Sequence, residues 1–75
     1  MQKTFGDLRR EAGFDTQEKF CASSGYSRSA VAKWEVGRSF PRASALKAVA
    51  ALLGVTADDI LTAIYAARQA AQVDR

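Results

Sequence analysis

The chain has 75 residues with a formal net charge of +3, and 48% of its residues are apolar, which suits one small globular domain over residues 1–75 and argues against disorder. One cysteine, Cys21, and no histidine exclude an internal disulfide, a Cys/His zinc site and the histidine-based catalytic constellations; no metal and no cofactor is expected. No apolar run approaches a membrane span and the N-terminus lacks a secretory pattern, so the expected location is the cytoplasm, without a membrane partner.

The first predicted helix runs from about Thr4 to Ala12, with Phe5, Leu8 and Ala12 as its apolar stripe and Asp7, Arg9, Arg10 and Glu11 elsewhere around it. Gly13 stops it, and Phe14 is free to pack back. A short second helix, Gln17 to about Ser24, is capped by Asp15 or Thr16, with Asp15 and Glu18 spaced for a capping-box-like arrangement and Phe20 and Cys21 on its buried side. Gly25 ends it. Tyr26 leads to Ser27, another good N-cap, so the interval between helices is short and contains a glycine, as a helix-turn-helix corner requires.

The third helix spans Arg28 to Val36 and ends at Gly37. Val31 and Trp34 face inward, while Arg28, Ser29, Ala32 and Lys33 share the opposite face through spacings of four. Short side chains between two long cations allow close approach to another molecule, with hydrogen-bond donors at the edges. Arg38 to Arg42 is a loop, with Pro41 before a fourth helix, Ala43 to Leu53, whose apolar side is Leu46, Val49, Ala50 and Leu53. After Gly54, Thr56 caps a fifth helix with Asp58 and Asp59 in its first turn. Ile60, Leu61 and Ile64 form its apolar side, and the alanine-rich stretch from Ala66 extends it towards Gln72.

Charge is unevenly placed. Residues 1–26 balance Lys3, Arg9, Arg10 and Lys19 against Asp7, Glu11, Asp15 and Glu18. Residues 27–47 set Arg28, Lys33, Arg38, Arg42 and Lys47 against Glu35 alone, and residues 48–75 set Arg68 and Arg75 against Asp58, Asp59 and Asp74. The basic block therefore coincides with the predicted helix-turn-helix, and such a block attracts polyanions. An enzymatic reading finds no set of residues to carry a reaction: Asp58 and Asp59 are neighbours on a helix and point about 100° apart.

The run TQEKFCASSGYSRSAVAKWEVGRSFPR, Thr16 to Arg42, resembles the lambda-repressor-like (XRE/Cro type) helix-turn-helix family, and the later LKAVAALLGVTADDIL resembles that family's closing helices. The departures are the connection Gly13-Phe14-Asp15-Thr16, one residue longer than the commonest family spacing, Ser24, where an apolar residue is usual, and Val36, where a polar one is usual. The resemblance implies an all-α five-helix bundle whose third helix enters the major groove of double-stranded DNA, as a homodimer on an inverted-repeat operator. It places Gln17 at a phosphate, Ser27, Arg28, Ser29 and Lys33 at base edges or their flanking phosphates with Ala32 between them, and Arg38 and Arg42 on the backbone; Trp34 and Glu35 are structural. The implied function is sequence-specific transcriptional regulation by a nucleoid-bound repressor or Cro-like protein. The alternative is a protein-interaction module on the same fold, such as the antitoxin of a toxin–antitoxin pair.

Overall fold

The computed structural model describes residues 3–73; Met1, Gln2, Asp74 and Arg75 lie outside the described residues. Five α-helices follow one another, α1 (Phe5–Glu11), α2 (Gln17–Ser24), α3 (Arg28–Val36), α4 (Ala43–Leu53) and α5 (Ala57–Val73), with no strand among the described residues. The fold is the expected all-α helix-turn-helix class.

Local chemistry sets the helix starts. Thr4 and Asp7 form a reciprocal capping box: the Asp7 amide donates to Thr4 Oγ1 at 3.2 Å and the Thr4 amide to Asp7 Oδ2 at 2.9 Å. Thr56 and Asp59 repeat it at α5, both bonds at 3.0 Å. At α2 the cap is Thr16, whose Oγ1 accepts from the Lys19 amide at 3.1 Å. The Asp15–Glu18 arrangement expected from spacing does not form: Asp15 lies 3.5 Å from Lys19 Nζ, and Glu18 turns towards α3. Ser27 caps α3 by accepting from the Ala30 amide at 3.1 Å.

All five helices contribute to one core. Phe5, Phe20, Val31, Val49, Ile60 and Ile64 are its largest fully enclosed side chains, with Trp34 and Leu53 almost as deep. Four edge-to-face aromatic contacts, Phe5–Phe20, Phe5–Trp34, Phe14–Phe20 and Tyr26–Trp34, have ring centroids 5.5–5.7 Å apart and tie α1 to the helix-turn-helix. Phe14 thus packs back as expected.

Three expectations need correction. Ala12 is not part of the buried stripe; it is the exposed C-cap of α1. Arg9, placed by helical spacing among the outward residues, is buried. Leu61 is exposed, and Ala63 occupies the core instead, because residues 60, 63 and 64 share one face of the helix and 61 falls beside it. Among the described residues no single helix is long and apolar enough to cross a membrane.

Candidate nucleic-acid interface

The third helix divides cleanly. Val31 and Trp34 are buried against the aromatic cluster, so the helix cannot rotate about its axis without opening the core. This leaves Arg28, Ser29 and Lys33 exposed and Ala32 half-buried on the far side. Both ends of the helix are fixed. Ser27 closes the first turn, and Gly37 closes the last at φ +81, donating towards the carbonyls of Lys33 and Trp34.

Two long-range bonds to Glu35, from Arg9 and from Gln17, tie this helix to α1 and α2. Arg9 Nε donates to Glu35 Oε2 at 2.8 Å, and Arg9 Nη1 donates to the Phe14 carbonyl at 2.6 Å. The other carboxylate oxygen, Glu35 Oε1, accepts from Gln17 Nε2 at 3.0 Å. Glu35 is thus the joint of α1, α2 and α3, consistent with a structural role. Gly6 backs this joint: a Cβ there would lie 3.3 Å from Glu35 Oε1. Sequence reasoning misses Arg9, because its partner is 26 residues away and no local spacing announces it.

Gln17 stands half-buried in the first turn of α2, with one amide proton committed to Glu35; the amide has a second donor. Arg28 is exposed, and its Nη1 lies 3.1 Å from Glu18 Oε2. Arg38 follows Gly37, its amide bound to the Lys33 carbonyl at 2.9 Å, so its side chain leaves directly from the end of α3. Arg42 is the N-cap residue of α4 and makes no side-chain capping bond. Both arginines are exposed, while Pro41 between them is buried and anchors the loop. Among the described residues Lys33, Arg38, Arg42 and Lys47 enter no ion pair.

The exit of α3 is braced from α5. Arg68 Nε donates to the Gly37 carbonyl at 2.8 Å, and its guanidinium lies 4.8 Å above the Phe40 ring. The departures at Ser24 and Val36 resolve simply. Ser24 Oγ accepts from the Tyr26 amide at 3.2 Å and so shapes the turn, and Val36 remains 52% exposed, not turned into packing.

Chemically the face offers hydrogen-bond donors, positive charge and the positive end of the α3 dipole, the combination suited to acceptor-rich, anionic partners. Among the described residues no cluster of His, Cys, Asp or Glu is placed to hold a metal ion.

Comparison with known proteins finds helix-turn-helix relatives. The HTH-type transcriptional activator BcrR of Enterococcus faecalis is 36% identical over 47 residues, a stretch that covers 63% of this chain and 23% of that protein. The chain thus corresponds to under a quarter of that relative's length. No solved structure gives a significant match. The family model described as a helix-turn-helix domain matches residues 4–63, from the Thr4 cap through the buried Ala63 of α5, and with its buried and exposed faces arranged as above the chain belongs to the helix-turn-helix DNA-binding family.

Proposed function

We propose that this chain, as one domain over residues 1–75, is a sequence-specific transcriptional regulator of the lambda-repressor-like (XRE/Cro) type, acting on the nucleoid in the cytoplasm. The observation that carries the reading is the divided α3: Val31 and Trp34 lock one side into the core, and Arg28, Ser29, Ala32 and Lys33 leave the other small and cationic. In this reading α3 lies in the major groove. Arg28 and Lys33 donate to purine acceptors, Ser27 and Ser29 to neighbouring edges or phosphates, and Gln17, Arg38 and Arg42 hold the backbone. Occupying an operator needs nothing beyond this surface, so repression by occlusion is the proposed mode. The activator name belongs to the relative, most of which lies outside the aligned stretch.

A homodimer on an inverted repeat completes the reading, with the two recognition helices about 34 Å apart, one turn of DNA. The face of α5 supports self-pairing. Leu61 (37% exposed) and Tyr65 (55%) line, with Phe40 and Thr62, a shallow groove of about 410 Å³. Asp58, Leu61, Tyr65 and Arg68 are spaced three, four and three apart, a pattern that reads the same from either end. An antiparallel second copy would set Asp58 against the partner's Arg68 and Leu61 against the partner's Tyr65, as a two-fold contact requires.

Selection from a random duplex pool tests the function. The wild type should enrich a two-fold motif that the Arg28→Ala, Lys33→Ala double variant loses. Absence of any enrichment, with no binding even at low salt, would overturn the DNA reading in favour of a protein-interaction module such as an antitoxin.

A further inference from the structure

The helix-turn-helix sets a carboxylate against its own recognition arginine. Glu18, in the first turn of α2, brings Oε2 within 3.1 Å of Arg28 Nη1, with both side chains more than half exposed. The acid of α3 itself, Glu35, is turned inward onto Arg9 and Gln17, so it does not meet the outer face. Of the basic block between residues 27 and 47, Arg28 is the one cation held by a carboxylate among the described residues.

We propose that Glu18 is a specificity-determining positioning residue, which withholds Arg28 from phosphates on unmatched DNA while leaving it able to read a guanine. The inference rests on the DNA-binding reading above and concerns how that site discriminates. Binding to unmatched DNA is driven by net charge against phosphate. Paired with Glu18, Arg28 contributes little net charge towards phosphate. A guanine edge is neutral and asks for two donors directed at O6 and N7, not for charge. The guanidinium has five N–H donors in a planar fork, and Glu18 meets it through one terminal nitrogen, so other donors remain for a base. The pair therefore suppresses the charge-driven term more than the base-reading term. It also restricts the rotamers of a long side chain before DNA arrives. An exposed ion pair is weak enough to yield when a bidentate base contact is on offer.

The test uses the full chain with the duplex enriched by selection and a scrambled duplex of equal composition, each at several salt concentrations. Glu18→Gln should tighten binding to the scrambled duplex about threefold to fivefold, the most that releasing an exposed ion pair supplies, and steepen its log–log salt dependence by up to about 0.9, the increment for neutralising one more phosphate. Binding to the selected duplex should tighten by less than about twofold, so discrimination falls. In an Arg28→Ala background the same substitution should change scrambled binding by less than about twofold. Equal tightening on both duplexes, or equal tightening with and without Arg28, would overturn the proposal and leave Glu18 as a general repeller of phosphate. No change on the scrambled duplex would overturn it as well. Failure of the DNA reading shows separately, as a wild type that binds neither duplex.

Discussion

Arg9 of α1 and Glu35 of α3 form an ion pair at 2.8 Å in which the two side chains are only 6% and 16% exposed. It joins the N-terminal helix to the helix that carries the candidate recognition residues. Removing one member of a buried pair strands the other, at a cost of about 3 kcal/mol, whereas replacing both with apolar residues costs far less. Glu35→Ala should therefore lower Tm by about 12–24 °C in a domain of this size. The Arg9→Met, Glu35→Leu double variant should recover most of that loss. Thermal melts followed by circular dichroism decide it, and a double variant no better than the single one would contradict the account.

Gly37 is needed twice over. Its φ of +81 disfavours any side chain, and a Cβ there would lie 2.7 Å from Arg68 Cα and closer still to the Arg68 amide nitrogen. Gly25 has nearly the same φ, +83, but open space around the missing Cβ. Gly25→Ala should cost about 1 kcal/mol, the left-handed backbone penalty alone. Gly37→Ala should cost at least about 2 kcal/mol more, because α5 must move away from the end of α3. Chemical denaturation of the two variants side by side measures the difference; equal losses would mean α5 does not press on this turn.

The two capping carboxylates predict an acid limit. The Thr4 amide, then the Arg10 guanidinium, hold Asp7 below the ordinary carboxylate range, and the Thr56 amide and hydroxyl do the same for Asp59. A group whose folded pKa is depressed stabilises above its unfolded value of about 3.9, and that contribution disappears as pH falls through the folded value. Tm should thus hold from pH 7 to about 5 and drop below about 4. An Asp7→Asn, Asp59→Asn variant should melt lower at pH 6 and show a smaller drop between pH 6 and pH 2.5. An undiminished drop would assign the acid sensitivity elsewhere.

Substitutions on the DNA face should separate into two behaviours. Arg38→Ala and Arg42→Ala should weaken binding to matched and unmatched duplexes alike, each reducing the salt slope by about 0.9. Lys33→Ala should cost the selected sequence about 1–3 kcal/mol and relax the preference at one base position. Titrations against a panel of single-base variants distinguish these outcomes.

Self-pairing through α5 predicts that Leu61→Ser, Tyr65→Ser reduces association without unfolding the bundle, since both side chains are exposed. Sedimentation velocity over a concentration series reads the change directly. A wild type that stays monomeric at high concentration and on its operator would rule out this seam.

Much of this architecture is legible in the sequence because its signals are local. Ser27 and Gly37 bracket α3, and the three-residue step from Val31 to Trp34 fixes its inner side, so the outer face follows without tertiary knowledge. Errors arise where two local solutions compete or where the partner is remote. Asp15–Glu18 and Thr16 both offer a cap to α2, and only the packed structure selects Thr16 and releases Glu18 towards Arg28. Leu61 carries the right hydrophobicity but sits beside the stripe that Ile60, Ala63 and Ile64 define. The joint of Arg9, Gln17 and Glu35, and the bond from Arg68 to the Gly37 carbonyl, link residues 18 to 31 positions apart, beyond the reach of any helical periodicity.

The division of α3 also bears on how such a protein diverges. Folding depends on Val31, Trp34 and the Ser27 cap, whereas Arg28, Ser29 and Lys33 project into solvent and touch nothing in the core. Changes at exposed helix positions usually alter stability by less than about 0.5 kcal/mol. Three side chains can therefore be exchanged, singly or together, with little consequence for folding. A duplicated gene could acquire a new target sequence through a few such exchanges, inheriting its scaffold unchanged.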